Sequence, residues 1–320
     1  MISKRKMGKS NVEVSPIGVG VMMWSGGAGN FLGKMMTTLP DDLRNSIIKE
    51  AFEGGINFFD TAEMYGAGNS ESNLVKALKA NNIEDKDVVI ETKWNPIFRR
   101  ARNMQKTIED RIRYLEGYSI DLFMIHNPMS FSSITTQMEE MIKLVKDNKI
   151  KSVGISNFNA TQMRTAFEVL EKHDIPLAAN QVNYSLVKRK IEKNGVLDTA
   201  KELGVTITAY TPLGAGLLTG KYHDNPELLD KKFSFLRLVA KRNFEQSKPL
   251  IQSLKQIAKA HNVLPGQVAL NWLITYSGDT VVAIPGATKI GHARESAGAM
   301  NFKLSKSELE EISKASEIFI

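Results

Sequence analysis

The chain has 320 residues, 42% of them hydrophobic, with no cysteine and a formal net charge of +7. That length suits one large α/β domain or two small ones. No apolar run reaches the roughly 18 residues of a membrane span, and the lack of cysteine excludes disulfides, thiolate metal ligands and thiol nucleophiles. The positive excess suits an anionic partner, but the densest basic clusters (4–6, 99–102 and 188–193) lack aromatics for base stacking, so a phosphate-bearing small molecule fits better than nucleic acid.

The start, MISKRKMGKSNVEVS, has no apolar stretch of the secretory kind, so a cytoplasmic location is expected. Segments 2–6 and 12–14, joined by 7–11, read as a hairpin suited to closing the floor of a barrel. From there β-rich apolar runs alternate with amphipathic helical stretches. Strands are expected at 17–22, 56–60, 88–93, 121–126, 153–156, 179–182, 205–210 and 281–284. Helices are expected at 41–54, 70–79, 104–116, 133–148, 160–173, 192–203, 245–261, 265–277 and 291–300, with a last one at 306–318. Asp41 and Asp42 are placed to cap the first helix and Gly54–Gly55 to end it. Asn159 is placed to cap the helix carrying Met163, Phe167 and Leu170, and Pro265 suits a first helical turn.

The polar residues that end the strands fall at 60, 93, 126, 156, 181 and 210, steps of 25 to 33 residues. Each step is about one strand–helix unit. Eight such units predict an α/β fold, a (β/α)8 TIM barrel of one domain over residues 1–320, with an N-terminal β-hairpin and a C-terminal extra helix. A doubly wound open sheet is the rival. It would carry a GxGxxG turn between its first strand and a helix, and the nearest match, GVGVMMW, leads into no immediate helix. The long interval between 210 and 281 suits a binding loop or lid on the active-site face. The Gly- and Met-rich stretch 26–36 is expected to shape the pocket mouth, with Trp24 and Trp94 as apolar substrate-binding walls.

Catalytic groups of such barrels sit at the C-terminal ends of the strands. Asp60 ends INFFD, Lys93 ends VVIETK, His126 ends IDLFMIH, and Tyr65 lies one short loop beyond Asp60. A tyrosine is a poor proton donor near neutral pH, with an ordinary pKa of about 10. A neighbouring ammonium lowers that value, so Lys93, held by Asp60, is expected to tune Tyr65, while His126 orients a carbonyl oxygen. Singly, each residue has an ordinary reading: a turn acid, a snorkelling lysine, a turn histidine, a packed tyrosine. Four suitable groups at matching strand ends instead suggest protonation of an oxygen as charge develops on it.

The segments FFDTAEMYG, ETKW, IHNP, GISNFN, NQVNYS, AYTPLGAGLLTGKY and IPGATK occur in this order from end to end. Together they make the chain resemble the aldo-keto reductase superfamily, in particular the bacterial and plant branch related to the potassium-channel β subunits. The resemblance implies reduction of an aldehyde or ketone by a nicotinamide cofactor, usually NADPH, with Tyr65 as proton donor, Asp60 and Lys93 as its tuning pair and His126 as the substrate-orienting residue. It places Ser156, Asn157 and Gln181 at the nicotinamide carboxamide and Tyr210 against the ring. Thr211, Leu213, Gly214, Gly216 and Lys221 would follow the pyrophosphate. Gly286, Thr288 and Lys289, at the start of a helix, would take the adenosine 2′-phosphate, with His292 and Glu295 at the adenine end.

His292 and Ser296 stand where the family often has Gln or Arg, and Asn, so NADH is also admitted as a cofactor. The five histidines show no metal-ligand spacing, and no metal is expected. Two rival functions share these motifs: a cofactor-binding regulatory subunit with slow turnover, and an isomerase or dehydratase that reuses the site without nicotinamide. The partner is a small carbonyl compound, with no nucleic acid and no membrane; the sequence leaves monomer or homo-oligomer open.

Overall fold

A computed structural model describes residues 3–26, 39–230 and 243–320. Residue 2 of the expected hairpin, most of the 26–36 stretch and residues 231–242 of the long loop lie outside the described residues. Eight parallel strands form the centre: β3 (Val19–Gly20), β4 (Phe58–Asp60), β5 (Val89–Trp94), β6 (Leu122–Ile125), β7 (Val153–Ser156), β8 (Leu177–Asn183), β9 (Thr206–Tyr210) and β10 (Val281–Ile284), each bonded to the next in chain order. The barrel closes through bridges Ile17 to Ala283 and Gly20 to Gly286. Gly18 N–H donates to Ala283 O at 2.8 Å and Gly20 N–H to Pro285 O at 3.0 Å.

β1 (Arg5–Lys6) and β2 (Glu13–Val14) form the antiparallel hairpin. Gly8 N–H donates to Thr206 Oγ1 at 2.7 Å, and Arg5 donates to Val281 O at 2.7 Å. These are the first residues of β9 and β10, so the hairpin plugs the N-terminal end. Its Met7, Val12 and Val14 join Phe58, Val89, Leu122, Met124, Ala179, Val282 and Ile284 in the cluster that fills the lower interior. Alternation along a strand puts every second side chain inward. It therefore sends Asp60, Lys93 and Gln181 inward above this floor, while Phe59, Ile90, Thr92, Trp94, Phe123 and Ile125 face the helices.

The surrounding helices are α1 (Asp41–Glu53), α2 (Asn69–Ala80), α3 (Met104–Leu115), α4 (Ile134–Lys146), α5 (Ala160–Glu171), α6 (Val196–Leu203), α7 (Lys221–Asp224), α8 (Lys248–His261), α9 (Pro265–Thr275), α10 (Ile290–Gly298) and α11 (Lys306–Ala315). Asn159 caps α5 in a capping box with Gln162, and Pro265 opens α9. Three expectations change. Pro40 holds the cap position of α1, so Asp41 and Asp42 lie in the first turn, where they face the helix dipole without capping. The single helix read at 192–203 divides into a 3-10 turn, Lys190–Glu192, and α6, because Gly195 adopts φ +82° between them. The strand read at 17–22 is short: Met22–Trp24 turns into a 3-10 helix as soon as it clears the barrel rim.

Candidate active site

β4 delivers Asp60 to the barrel mouth, and the loop that follows is stitched to β5. Thr61 N–H donates to Glu91 O at 2.8 Å and Glu63 N–H to Lys93 O at 3.1 Å. Ser70 Oγ accepts from Thr61 and donates to Val21 O at 2.8 Å. The turn ends with Tyr65 N–H on Ala62 O at 3.0 Å. Gly66 then adopts φ +69° with its Cα against Ser25; a Cβ there would meet Ser25 O at 2.3 Å, so the residue that sets the direction of Tyr65 has to be glycine.

Lys93 is fully buried. Its ammonium donates to Asp60 Oδ1 and to Thr61 O at 2.8 Å, and it lies 5.4 Å from the centre of the Tyr65 ring. The His126 ring meets Tyr65 edge-on at 5.7 Å. The structure thus brings Asp60, Tyr65, Lys93 and His126 together.

Burial pushes the Asp60 carboxyl up, but the Lys93 ammonium and the hydrogen bonds it receives outweigh this and hold it below the ordinary carboxylate range. Burial would lower the Lys93 amine, yet Asp60, Tyr65 and Glu91 hold it above its ordinary value. The phenol departs from expectation. Burial pushes Tyr65 up to about 12 against the pull of Lys93, with Asp60 and Glu91 adding to the rise. In the ligand-free site Tyr65 therefore keeps its proton.

Burial, with the Lys93 charge, brings His126 down to about 3, so the imidazole is neutral at physiological pH. Its Nδ1 is buried with no hydrogen-bond partner among the described residues. The linkage follows directly. Below the ordinary value of 6.5 the unfolded chain takes up a proton that the native side chain refuses until about pH 3. His126 thus adds stability that is present above pH 6.5 and lost as the pH falls toward 3. Urea unfolding at neutral pH and at about pH 4.5 is expected to show a smaller acid loss in His126→Gln than in the parent; equal losses would contradict this.

On the far side of the mouth Ser156 ends β7 and Asn157 follows it. Asn157 adopts φ +62°, donates to Ser156 Oγ at 2.9 Å and to His126 O at 3.2 Å, and accepts from Tyr210 OH at 3.0 Å. Gln181 lies beside that pair, its backbone carbonyl oxygen accepting from Ser156 Oγ at 3.0 Å and from Asn157 N–H at 2.8 Å. Its amide nitrogen reaches inward, donating to Asp60 at 2.9 Å and to Glu91. Trp24 and Trp94 are corrected outright. Both are fully buried in the sheet–helix core, with indole N–H groups on Ala287 O at 2.8 Å and Asn103 Oδ1 at 3.2 Å, so neither presents a wall to a ligand.

The expected phosphate region also takes shape. Thr211, Gly214, Ala215 and Gly216 all have positive φ, which coils the chain after β9 tightly beside the half-buried Leu213 before α7 begins at Lys221. Lys221 and Lys289 lie close enough to repel. After burial, Lys289 is the main cause that lowers Lys221, with Glu295 opposing; burial, then Lys221 and Lys289, lower His292. Positive charge gathered at the start of α10 and only partly offset by Glu295 fits an anion. Thr288 N–H donates to His292 Nδ1 at 3.3 Å. Gly286 keeps the approach open, since a Cβ there would meet only Gly20 O, at 3.8 Å. These residues fit a phosphate-bearing dinucleotide, with Tyr210 and Asn157 toward the catalytic end.

Two features escaped the sequence reading. Glu91 is fully buried beside Lys93, 3.4 Å from its ammonium. The period-two spacing of Glu91 and Lys93 in β5 was the signal that both point inward. The second is an exposed apolar ledge formed by Phe98, Met129 and Phe131 on the loops that follow β5 and β6. The two aromatic rings lie 6.3 Å apart, and the loops are tied by Phe131 N–H and Ser130 Oγ donating to Arg99 O at 3.0 and 2.9 Å. The parallel segments NPIF and NPMSF, each just past a strand end, carried that information. Among the described residues no group of acids and histidines suited to a metal ion occurs, and no helix is long and apolar enough to cross a membrane.

The aldo/keto reductase family pattern matches residues 16–317. The chain is 35% identical over 323 residues to aldo-keto reductase str7 of Strobilurus tenacellus, covering 98% of this chain and 91% of that one. It is 32% identical over 320 residues to the probable aldo-keto reductase 1 of Glycine max, covering 97% and 88%. It is 29% identical over 327 residues to aldo-keto reductase yakc [NADP(+)] of Schizosaccharomyces pombe, covering 98% and 91%. Among solved structures, the thermostable aldo-keto reductase Tm1743 with the inhibitor epalrestat superposes with a TM-score of 0.76 at 25% identity, covering 98% of this chain and all of that one. Barrel, strand-end residues and these matches agree: the chain belongs to the aldo/keto reductase family, oxidoreductases that act on small carbonyl compounds with nicotinamide cofactors.

Proposed function

We propose that this chain is a single barrel domain over residues 1–320 that reduces an aldehyde or ketone to the alcohol with NADPH, using Tyr65 as general acid. The observation that carries this reading is the meeting of Tyr65, Lys93, Asp60 and His126 at the mouth of the closed barrel. When bound, the nicotinamide supplies the hydride that the carbonyl carbon receives. Tyr65, protonated across the physiological range, gives its proton to the carbonyl oxygen as negative charge gathers there. The phenolate left behind faces the Lys93 ammonium, which Asp60 and Thr61 O hold in place. The neutral His126 imidazole, edge-on to the Tyr65 ring, hydrogen-bonds the same oxygen through its other nitrogen, Nε2. The Phe98–Met129–Phe131 ledge favours substrates with an apolar body, because such a body would cover surface that is otherwise exposed.

The preference for NADPH rests on Lys289, Lys221 and the start of α10, and is supported by the NADP(+) in the name of the Schizosaccharomyces pombe relative. Lys289→Ala is expected to weaken NADPH binding by about tenfold, the equivalent of one charge-assisted hydrogen bond, while leaving NADH nearly unchanged. Fluorescence titration with both cofactors measures this; an equal loss for both would remove Lys289 from the 2′-phosphate. The activity itself is tested by following cofactor oxidation across aldehydes, ketones and sugars, with NADPH and then NADH. The complete catalytic cluster favours an enzyme over a regulatory cofactor-binding subunit. Tight cofactor binding without turnover on that panel would reverse the choice.

A further inference from the structure

Glu91 is an acid with no part in the mechanism above, yet it lies at the centre of the site. It is the register partner of Asp60 on the adjacent strand, so both side chains enter the barrel at one level, about 4.8 Å apart along the hydrogen-bonding direction. The two carboxyls are within hydrogen-bonding reach of each other. Gln181 Nε2 donates to both, and Lys93 lies between them, bonded to Asp60 and 3.4 Å from Glu91 Oε1. Glu91 Oε2 is buried with no hydrogen-bond partner among the described residues.

Charge decides what that orphan oxygen is. The titratable groups facing Glu91 are Asp60 from β4, Lys93 from its own strand and Tyr65 from the loop after β4; Gln181, from β8, is neutral. Two ionised carboxylates and one ammonium would leave a net negative charge in an interior closed to water, a costly state. A hydrogen bond between two carboxyls needs a proton on one of them. Asp60, in direct contact with Lys93, is the one that stays ionised. Burial first, then the Asp60 charge, pushes Glu91 well above the ordinary carboxylate range.

We propose that Glu91 carries a proton in the resting protein, donates it in a hydrogen bond to Asp60, and so acts as a positioning residue that keeps Lys93 directed at Tyr65. The proposal rests on the reading of Tyr65, Lys93 and Asp60 given above. With Glu91 neutral, Asp60 and Lys93 balance and the ammonium is available to the phenol. With Glu91 ionised, a second carboxylate competes for Lys93 and strengthens the hold of Tyr65 on its proton, so reduction slows as the pH rises. Glu91 touches neither substrate nor cofactor; its influence passes through Asp60 and Lys93.

Infrared spectroscopy on the parent and on Glu91→Gln, combined with pH profiles of kcat, tests this. The parent at neutral pH is expected to show the C=O stretch of a buried protonated carboxyl that is absent from Glu91→Gln. The alkaline fall in kcat is expected to move up by about one pH unit or more in Glu91→Gln, the size of shift that removal of a neighbouring charge produces. Glu91→Ala, which leaves Asp60 without its donor, is expected to lower kcat by about tenfold, the rate equivalent of one hydrogen bond to a charged group, with little change in KM. Glu91→Gln, whose amide can still donate to Asp60, restores most of that loss. Because Glu71 is a second buried carboxyl, pushed up to about 7 by burial, the reading is the difference between the two spectra: no protonated-carboxyl band lost on going from the parent to Glu91→Gln overturns the protonation. A band that behaves as expected beside an unmoved pH profile overturns the positioning role. Neither spectral result depends on turnover, so failure of the reductase reading is seen separately, as a parent without activity on any carbonyl.

Discussion

Tyr65→Phe is expected to lower kcat by about 10²- to 10⁴-fold, the usual contribution of a positioned general acid, with cofactor affinity nearly intact. The substitution removes one oxygen and keeps the ring. The ring is what meets His126 at 5.7 Å and lies over the Lys93 ammonium at 5.4 Å, so the pocket keeps its shape. Among the described residues no second protonated group is positioned to replace the phenol: His126 is neutral, Lys93 is committed to Asp60 and Thr61 O, and the proton proposed on Glu91 is given to Asp60. Steady-state kinetics with a reactive aldehyde, beside a cofactor titration, measures both halves of this expectation. Turnover like the parent's would mean that the proton comes from elsewhere.

Lys93→Met has the second largest expected effect, because it acts on folding and on chemistry together. The ammonium lies within a fully buried cluster with two acids. Breaking a buried pair by removing one partner costs about 3–5 kcal/mol, since the charge that remains has no compensation. The variant is expected to lose stability of that order at neutral pH, measured by urea unfolding. The loss should shrink in acid, where Asp60 takes up a proton and no uncompensated charge is left. Turnover should fall as well, because the phenolate left by proton transfer faces no cation. A variant as stable as the parent would show that Asp60 and Glu91 are neutral without Lys93, and would undo the charge balance on which the role of Glu91 also depends.

The barrel was legible because two periodicities alternate along the chain and because polar residues close each apolar strand. The meeting of the four candidate residues was legible for the same reason: a strand end in a parallel barrel is a fixed place, and Asp60, Lys93 and His126 each occupy one. What failed depended on side-chain direction. Trp94 follows Lys93 immediately, so alternation along β5 sends it outward into the core; being next to an inward-facing lysine in sequence puts it on the opposite face. Gln181 ends the apolar part of β8 beside Ser156 and Asn157 as expected; what alternation adds is an amide turned inward to Asp60 and Glu91. Glu91 was readable from the same alternation and was passed over because it stands inside a strand instead of at its end. The phenol was expected to be lowered by Lys93, and burial outweighs that charge. Burial is a property of the packed molecule, and no local pattern around Tyr65 reveals it.

The central claim is that a carbonyl carbon receives hydride from a nicotinamide here while Tyr65 supplies the proton. It is tested most directly with NADPH carrying deuterium at the transferable position of the nicotinamide and a reactive aldehyde, with the alcohol analysed by mass spectrometry. The account predicts one deuterium on the carbinol carbon for each cofactor oxidised, and almost no product from Tyr65→Phe under the same conditions. Alcohol without deuterium, or deuterated alcohol formed equally fast by Tyr65→Phe, would contradict it.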